Sequence, residues 1–226
     1  MKERLIELVA RNLAKPRNSL SGLIIGHYFL RRRNRTLEEN AVKLSKIEKD
    51  HTVLEIGFGP GVGLSKAVEK VQDGKGKIYG IELSLSMVNS ANLFYKKYIN
   101  AGKLDITYGS VTQLPYAPNT FDRIYHVNCY YFWKDMPLAC TELYRVLKPN
   151  SYVVATLNLE RLKLSKKKGL MKYASFDPIK YMHALESAGF ENVKIEYLNG
   201  YQAIYGHIAS KPQMRIIDET IVKANK

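Results

Sequence analysis

The stretch Val53-Leu54-Glu55-Ile56-Gly57-Phe58-Gly59-Pro60-Gly61 decides how this chain is read. An apolar run rich in β-formers, from Thr52 to Ile56, predicts a strand. Three glycines at alternate positions then predict a loop that bends tightly and lets a ligand approach its main chain. A second run, Lys77-Ile78-Tyr79-Gly80-Ile81-Glu82, ends in a carboxylate 25 residues after Gly57. At the tip of a neighbouring parallel strand, such a carboxylate accepts hydrogen bonds from two ribose hydroxyls.

Nucleotide classes compete for a glycine loop of this kind. The nicotinamide fingerprint Gly-x-Gly-x-x-Gly is met by Gly57 and Gly59, but its third position falls on Val62 and Gly63 is one residue late. Glu55, two positions before the first glycine, is unusual for that class. No Gly-Lys-Ser/Thr follows, which excludes a phosphate-cradling P-loop.

Outward from the loop, strand and helix patterns alternate. Leu104–Gly109, Phe121–Asn128 and Tyr152–Leu157 are further strands. Helices are predicted after Ser84, over Asp135–Lys148 and after the cap pair Asp177-Pro178, the last ending at Gly189. This alternation predicts an α/β fold with a doubly wound, mostly parallel sheet. Val193–Leu198 and Gln202–Ala209, linked through Asn199-Gly200, predict an antiparallel pair at its edge.

Residues 1–48 read as a helical extension and possible lid: a stripe over 2–13, a break at Pro16, a helix over Ser19–Arg33, and a third helix opened by the capping box Thr36-Leu37-Glu38-Glu39. The main domain then covers 49–212, with 158–176 as a basic loop or lid and 213–226 as a tail.

In order along the chain, Val53–Gly61, Gly80-Ile81-Glu82, Gly109-Ser110, Leu114-Pro115-Tyr116, Asn119-Thr120-Phe121-Asp122, Asn128 and Glu142–Pro149 resemble the class I S-adenosyl-L-methionine-dependent methyltransferases. Tyr131-Phe132-Trp133 resembles a subgroup of generic small-molecule methyltransferases within them. The resemblance implies a seven-stranded Rossmann-like sheet and S-adenosyl-L-methionine as cofactor. It implies that Gly57, Gly59 and Gly61, with Glu55 behind them, hold the methionine end. Glu82 then binds the ribose, Leu83 and Met87 lie near the adenine, Ser110 and Val111 edge its ring, and Asn128 faces the reacting methyl. Asp122 orders the loop before its strand. Ser110 stands where the family usually has an acid, so a neutral hydrogen bond replaces a stronger charge-assisted one. Asn150 stands where a glycine is usual, and asparagine visits left-handed turns readily.

Methyl transfer from a sulfonium needs alignment and exclusion of water more than a base. Tyr131 and His126 are the nearest catalytic candidates, and core packing is the competing reading of His126. Tyr28, Tyr130, Tyr131 and Trp133 are candidates for lining a substrate site. The five histidines show no metal-ligand spacing, so no metal is expected.

The net charge is +14, with +6 in residues 1–50 and +6 in residues 161–174. This field suits a small, anionic substrate, a membrane surface or nucleic acid, or serves only as a solvated face. An RNA or DNA methyltransferase is the first alternative, but Asn128-Cys129-Tyr130-Tyr131 lacks the prolines of base-methylating motifs. An inactive cofactor-binding regulator is the second. No run reaches the ~18 apolar residues of a membrane span. The acidic residues Glu3 and Glu7 suit neither a secretory nor a transit leader. Two cysteines and this composition point to a reduced, cytoplasmic setting.

Overall fold

A computed structural model describes residues 2–17, 19, 22, 24–25 and 30–209. The elements in chain order are α1 (Lys2–Ala14), α2 (Arg31–Leu44), β1 (Thr52–Ile56), α3 (Val62–Val71), β2 (Lys77–Glu82), α4 (Leu85–Phe94) and α5 (Lys96–Asn100). There follow β3 (Leu104–Tyr108), β4 (Phe121–Val127), α6 (Met136–Val146), β5 (Leu147–Leu157), α7 (Leu159–Lys167), α8 (Pro178–Ser187), β6 (Glu191–Leu198) and β7 (Tyr201–His207). Among the described residues, seven strands form one sheet in the order β3-β2-β1-β4-β5-β7-β6.

β1 pairs in parallel with β2 and β4, as do β2 with β3 and β4 with β5. The strand order reverses at β1, so the tips of β1 and β4 border a crevice, where open α/β sheets bind ligands. β7 runs antiparallel to both β5 and β6, so the expected hairpin closes one edge.

Strand alternation divides the core between the two faces. Leu54, Ile56 and Ile124 pack with Leu143, Tyr181 and Leu185 under α6 and α8. Val53, Tyr125 and Val127 pack with Leu37, Ala41, Leu64 and Met87 under α2, α3 and α4. The strands are buried on both faces, which is why they read as nearly continuous apolar runs.

Local rules account for most helix ends. Ser84 accepts from the Met87 amide, Asp135 from Leu138, and Asp177 from Ile179 and Lys180. Gly189 ends the α8 turn at φ 104°, and Asn150 takes φ 61° where a glycine was expected. Asp122 accepts from the Thr52 amide and from Lys148 Nζ, both at 2.8 Å, fastening the strand starts far from the crevice. Arg145 donates to the carbonyls of Tyr116 and Leu114 while Glu142 accepts from the Leu114 amide, so this motif pins the 114–116 loop.

Two expectations are corrected. The capping box at Thr36–Glu39 does not open a helix, because α2 already runs from Arg31 and Leu30 has helical angles. Arg35 and Glu39 form an i,i+4 pair that supports the continued helix, and Glu38 turns into the interior. The segment 158–176, expected as a long loop, carries α7. Asn158 caps it through the Arg161 amide, Leu159 and Leu162 face inward, and Lys166 and Lys167 sit favourably in its last turn. The helix expected over Ser19–Arg33 falls largely outside the described residues, as do Tyr28 and the 213–226 tail. No helix among the described residues is long and apolar enough to cross a membrane.

Candidate active site

The glycine loop is built as its sequence requires. Gly57, Gly59 and Gly61 take φ values of 66°, 50° and 74°, left-handed conformations that side chains rarely adopt. Gly57 N–H donates to the Ile81 carbonyl at 2.8 Å, fastening the loop to β2, and Gly61 serves as the N-cap of α3. Above the loop, at the carboxyl ends of β1, β2, β4 and β5, lies a cavity of about 460 Å³. That volume is in the range of small-ligand sites.

Glu82 joins the loop to the second strand. One of its oxygens accepts from Gly59 N–H at 3.0 Å and the other from Ser84 N–H at 2.8 Å. Burial raises its pKa, opposed by these amides and that of Leu83. A carboxylate offers about four lone-pair positions, so capacity remains for a further donor from the cavity. A Cβ on Gly59 would meet nothing within 4 Å, and the loop borders the cavity there. Buried Asn128 Oδ1 has no hydrogen-bond partner, while its Nδ2 donates to Asn34 Oδ1 at 3.1 Å. A cradle free of side chains, a carboxylate with acceptor capacity to spare and an orphaned acceptor fit an adenosine-bearing amino acid.

Of the residues singled out in the sequence, Gly57, Gly59, Glu82, Leu83, Ser110, Val111, Asn128, Tyr131 and Trp133 line this cavity. Ser110 Oγ hydrogen-bonds Thr112 Oγ1 at 2.8 Å. The other described ones lie elsewhere. Met87 is fully buried in the core under α4, because the turn begun at Ser84 points it inward. Gly61 sits beneath the loop, where a Cβ would lie 2.6 Å from Tyr95 Cε2. Tyr130 stacks on Tyr181 with centroids 4.4 Å apart. His126 is buried on the α6–α8 face, its Nε2 2.7 Å from Tyr181 Oη, and burial drives its pKa down to about 3. It has no route to a substrate, so core packing is its role. Burial also holds the Tyr131 phenol well above its usual range, with Arg33 opposing, so it is no phenolate base.

Glu55 lies one layer below the loop. Tyr125, its cross-strand neighbour on β4, donates to it at 2.8 Å. Its other partner is Glu38, whose Oε2 meets no N–H or O–H donor and whose hydrogen-bonding neighbour is the Glu55 carboxyl. Burial and mutual repulsion push Glu38 well above the carboxylate range, and burial pushes Glu55 up to about 8. Both carboxyls are therefore held toward their protonated forms at neutral pH. Gly63 makes room for it, since a Cβ there would lie 2.6 Å from Glu55 Oε1 and 2.8 Å from Glu38 Oε2.

Further cavity walls come from outside the sequence motifs. Arg33, Asn34, Leu37 and Glu38 come from α2, and Arg161, Leu162 and Ser165 from α7. Pro16, after α1, accepts from Ser84 Oγ and Ser86 Oγ through its carbonyl, holding the 13–16 segment against the cavity.

The family described as "Methyltransferase domain" matches residues 54–155, which include the end of β1, the glycine loop, Glu82 and Asn128. The chain is 25% identical over 180 residues to the uncharacterised methyltransferase YdaC of Bacillus subtilis, covering 78% of this chain and 91% of that one. Its methyltransferase domain, residues 54–155, is of the class I S-adenosyl-L-methionine-dependent kind. The chain is 26% identical over 159 residues to the demethylmenaquinone methyltransferase of Oceanobacillus iheyensis, covering 68% of this methyltransferase and 61% of that protein. The fold is shared with a structure titled as a putative S-adenosyl-L-methionine-dependent methyltransferase of Methanococcus maripaludis, at TM-score 0.64 and 17% identity, covering 94% of each chain.

Proposed function

We propose that this methyltransferase binds S-adenosyl-L-methionine between the glycine loop and Glu82 and methylates an oxygen, nitrogen or sulfur nucleophile of a small molecule. The observation that carries the reading is Glu82, held by Gly59 and Ser84 amides with its remaining acceptor capacity toward the cavity. Gly57 and Gly59 would receive the methionine end, Glu82 the ribose, Leu83, Ser110 and Val111 the adenine, and Asn128 the neighbourhood of the methyl. When bound, the cofactor supplies a methyl group on a sulfonium sulfur, which departs as a neutral thioether.

The protein's own work is alignment and enclosure, which lower barriers by ~7–11 kcal/mol in favourable cases. Tyr131, Trp133 and Asn34 border the space beside Asn128, and α2 and α7 cover it as a lid. A pocket covered from two sides favours a small molecule over a nucleic-acid strand. The demethylmenaquinone relative, named for a small molecule, supports the same choice. Among the described residues no cavity-lining base stands ready, so the nucleophile is expected to reach the site already deprotonated or to lose its proton to water.

The test is incubation of the full-length protein with methyl-labelled S-adenosyl-L-methionine and a cell extract split into small-molecule, nucleic-acid and protein fractions. Label is expected in the small-molecule fraction and is expected to be lost with Glu82→Ala. Label confined to nucleic acid, or undiminished in the variant, would overturn the reading.

A further inference from the structure

Resting on the cofactor reading above, we propose that Arg33 and Arg161 form a clamp for an anionic group of the substrate, a carboxylate or a phosphate, while a different atom of that molecule is methylated. Both guanidinium-bearing residues line the cavity, one from α2 and one from α7. Arg33 Nη2 donates to the buried Ser165 Oγ at 2.8 Å, and Arg161 Nη1 donates to the Arg33 carbonyl at 3.1 Å. These two bonds fasten the α2 and α7 covers to each other beside Tyr131 and bring two cations to one wall.

The cavity's own acids are turned elsewhere. Glu38 is engaged with Glu55, and Glu82 with the amides of Gly59 and Ser84. Burial lowers the pKa of Arg33 and the Arg161 charge lowers it further, opposed by Tyr131, so an anion lodged between the two would relieve desolvation and repulsion together. Arginine is also the residue suited to this task, since its planar fork grips carboxylate and phosphate oxygens in pairs. Lys166, Lys167 and Lys168, which supply much of the segment's charge, remain exposed on the outer surface. Anion recognition is therefore assigned to the two arginines and not to the lysine run. Asn34 and Asn128, hydrogen-bonded to each other on the adjoining wall, would orient the rest of the molecule toward the methyl.

The test uses full-length protein, with and without S-adenosyl-L-homocysteine, titrated separately with sodium phosphate and sodium acetate at constant ionic strength. Binding is followed through the arginine Nε–Hε resonances, and the variants are Arg161→Gln, Arg33→Lys and the triple Lys166/Lys167/Lys168→Ala. Saturable binding of at least one anion is expected, weakened about tenfold or more in Arg161→Gln and Arg33→Lys and unchanged in the triple variant. Phosphate alone points to a phosphomonoester, acetate alone to a carboxylic acid, and either supports the clamp. Thermal melting of each variant separates lost binding from loss of the α2–α7 fastening. The clamp is overturned if neither anion moves the Arg33 and Arg161 resonances, if the folded arginine variants bind like the wild type, or if only the lysine variant loses binding. Anion binding without any binding of S-adenosyl-L-homocysteine would sink the proposed function and leave the clamp standing.

Discussion

The protons that burial keeps on Glu38 and Glu55 give stability a pH dependence that one substitution reduces. Glu55 is held up to about 8 against an ordinary value of 4.5. Between those values the folded state retains a proton that the unfolded chain has released, so this contribution is complete below the ordinary value and is lost as pH rises through the folded one. The slope is about 1.4 kcal/mol per pH unit for one proton, or about 2 kcal/mol between pH 6.5 and 8. Burial lowers the pKa of His51, His126 and His207, whose effect on stability has the opposite sign and acts mainly at lower pH. Glu38→Gln removes the contribution of Glu38, while burial, the main cause of the Glu55 shift, stays in place. Urea unfolding at pH 6.5, 7, 7.5 and 8 is expected to show wild type losing about 2 kcal/mol relative to the variant, since the histidine contribution is common to both. Parallel wild-type and variant lines across this interval would refute a proton held on Glu38 in the folded state.

Three further outcomes follow from single sites. Gly61→Ala places a Cβ 2.6 Å from the Tyr95 ring at φ 74°, so chemical denaturation should show a loss of about 2–3 kcal/mol, while a loss under 0.5 would contradict the packing beneath the loop. His126→Phe removes a histidine whose folded pKa is depressed to about 3, so wild type should lose stability as pH falls from about 6.5 toward 3 with an extra ~1.4 kcal/mol per unit that the variant lacks; equal acid slopes would contradict its burial as the neutral form. Asp177→Ala deletes the cap of α8 and should cost about 1 kcal/mol in urea unfolding, an unchanged midpoint being the contrary result.

The parts legible in the sequence are those fixed by local chemistry. The glycine spacing at 57, 59 and 61 required left-handed backbone, and the chain adopts it. Ser84 and Asp177 capped the helices they preceded. Glu82 and Asn128 stood at strand ends, and parallel topology brought both to one crevice. The parts missed depend on contacts between distant segments. Glu38 sat inside a capping pattern completed by Glu39, yet its partner is Glu55 on another element, and that pair exists only once α2 docks on α3. Arg33 and Arg161 read as undifferentiated positive charge, because nothing in a run of basic residues tells which side chain turns inward. α7 carries few inward apolar residues, so its periodicity was faint. Met87 was missed, and His126 followed its competing core-packing reading, for a simpler reason. Each lay at the correct position along the chain but on the side of its element that faces the core.

The most direct measurement is calorimetric titration of S-adenosyl-L-methionine into the full-length protein and into Glu82→Ala. Wild type is expected to take up one equivalent, and the variant to bind roughly 10- to 150-fold more weakly, the range for losing hydrogen bonds to a charged group worth ~1.5–3 kcal/mol. Equal affinity in the two proteins, or no uptake by wild type, would contradict the assignment of this crevice to the methyl donor.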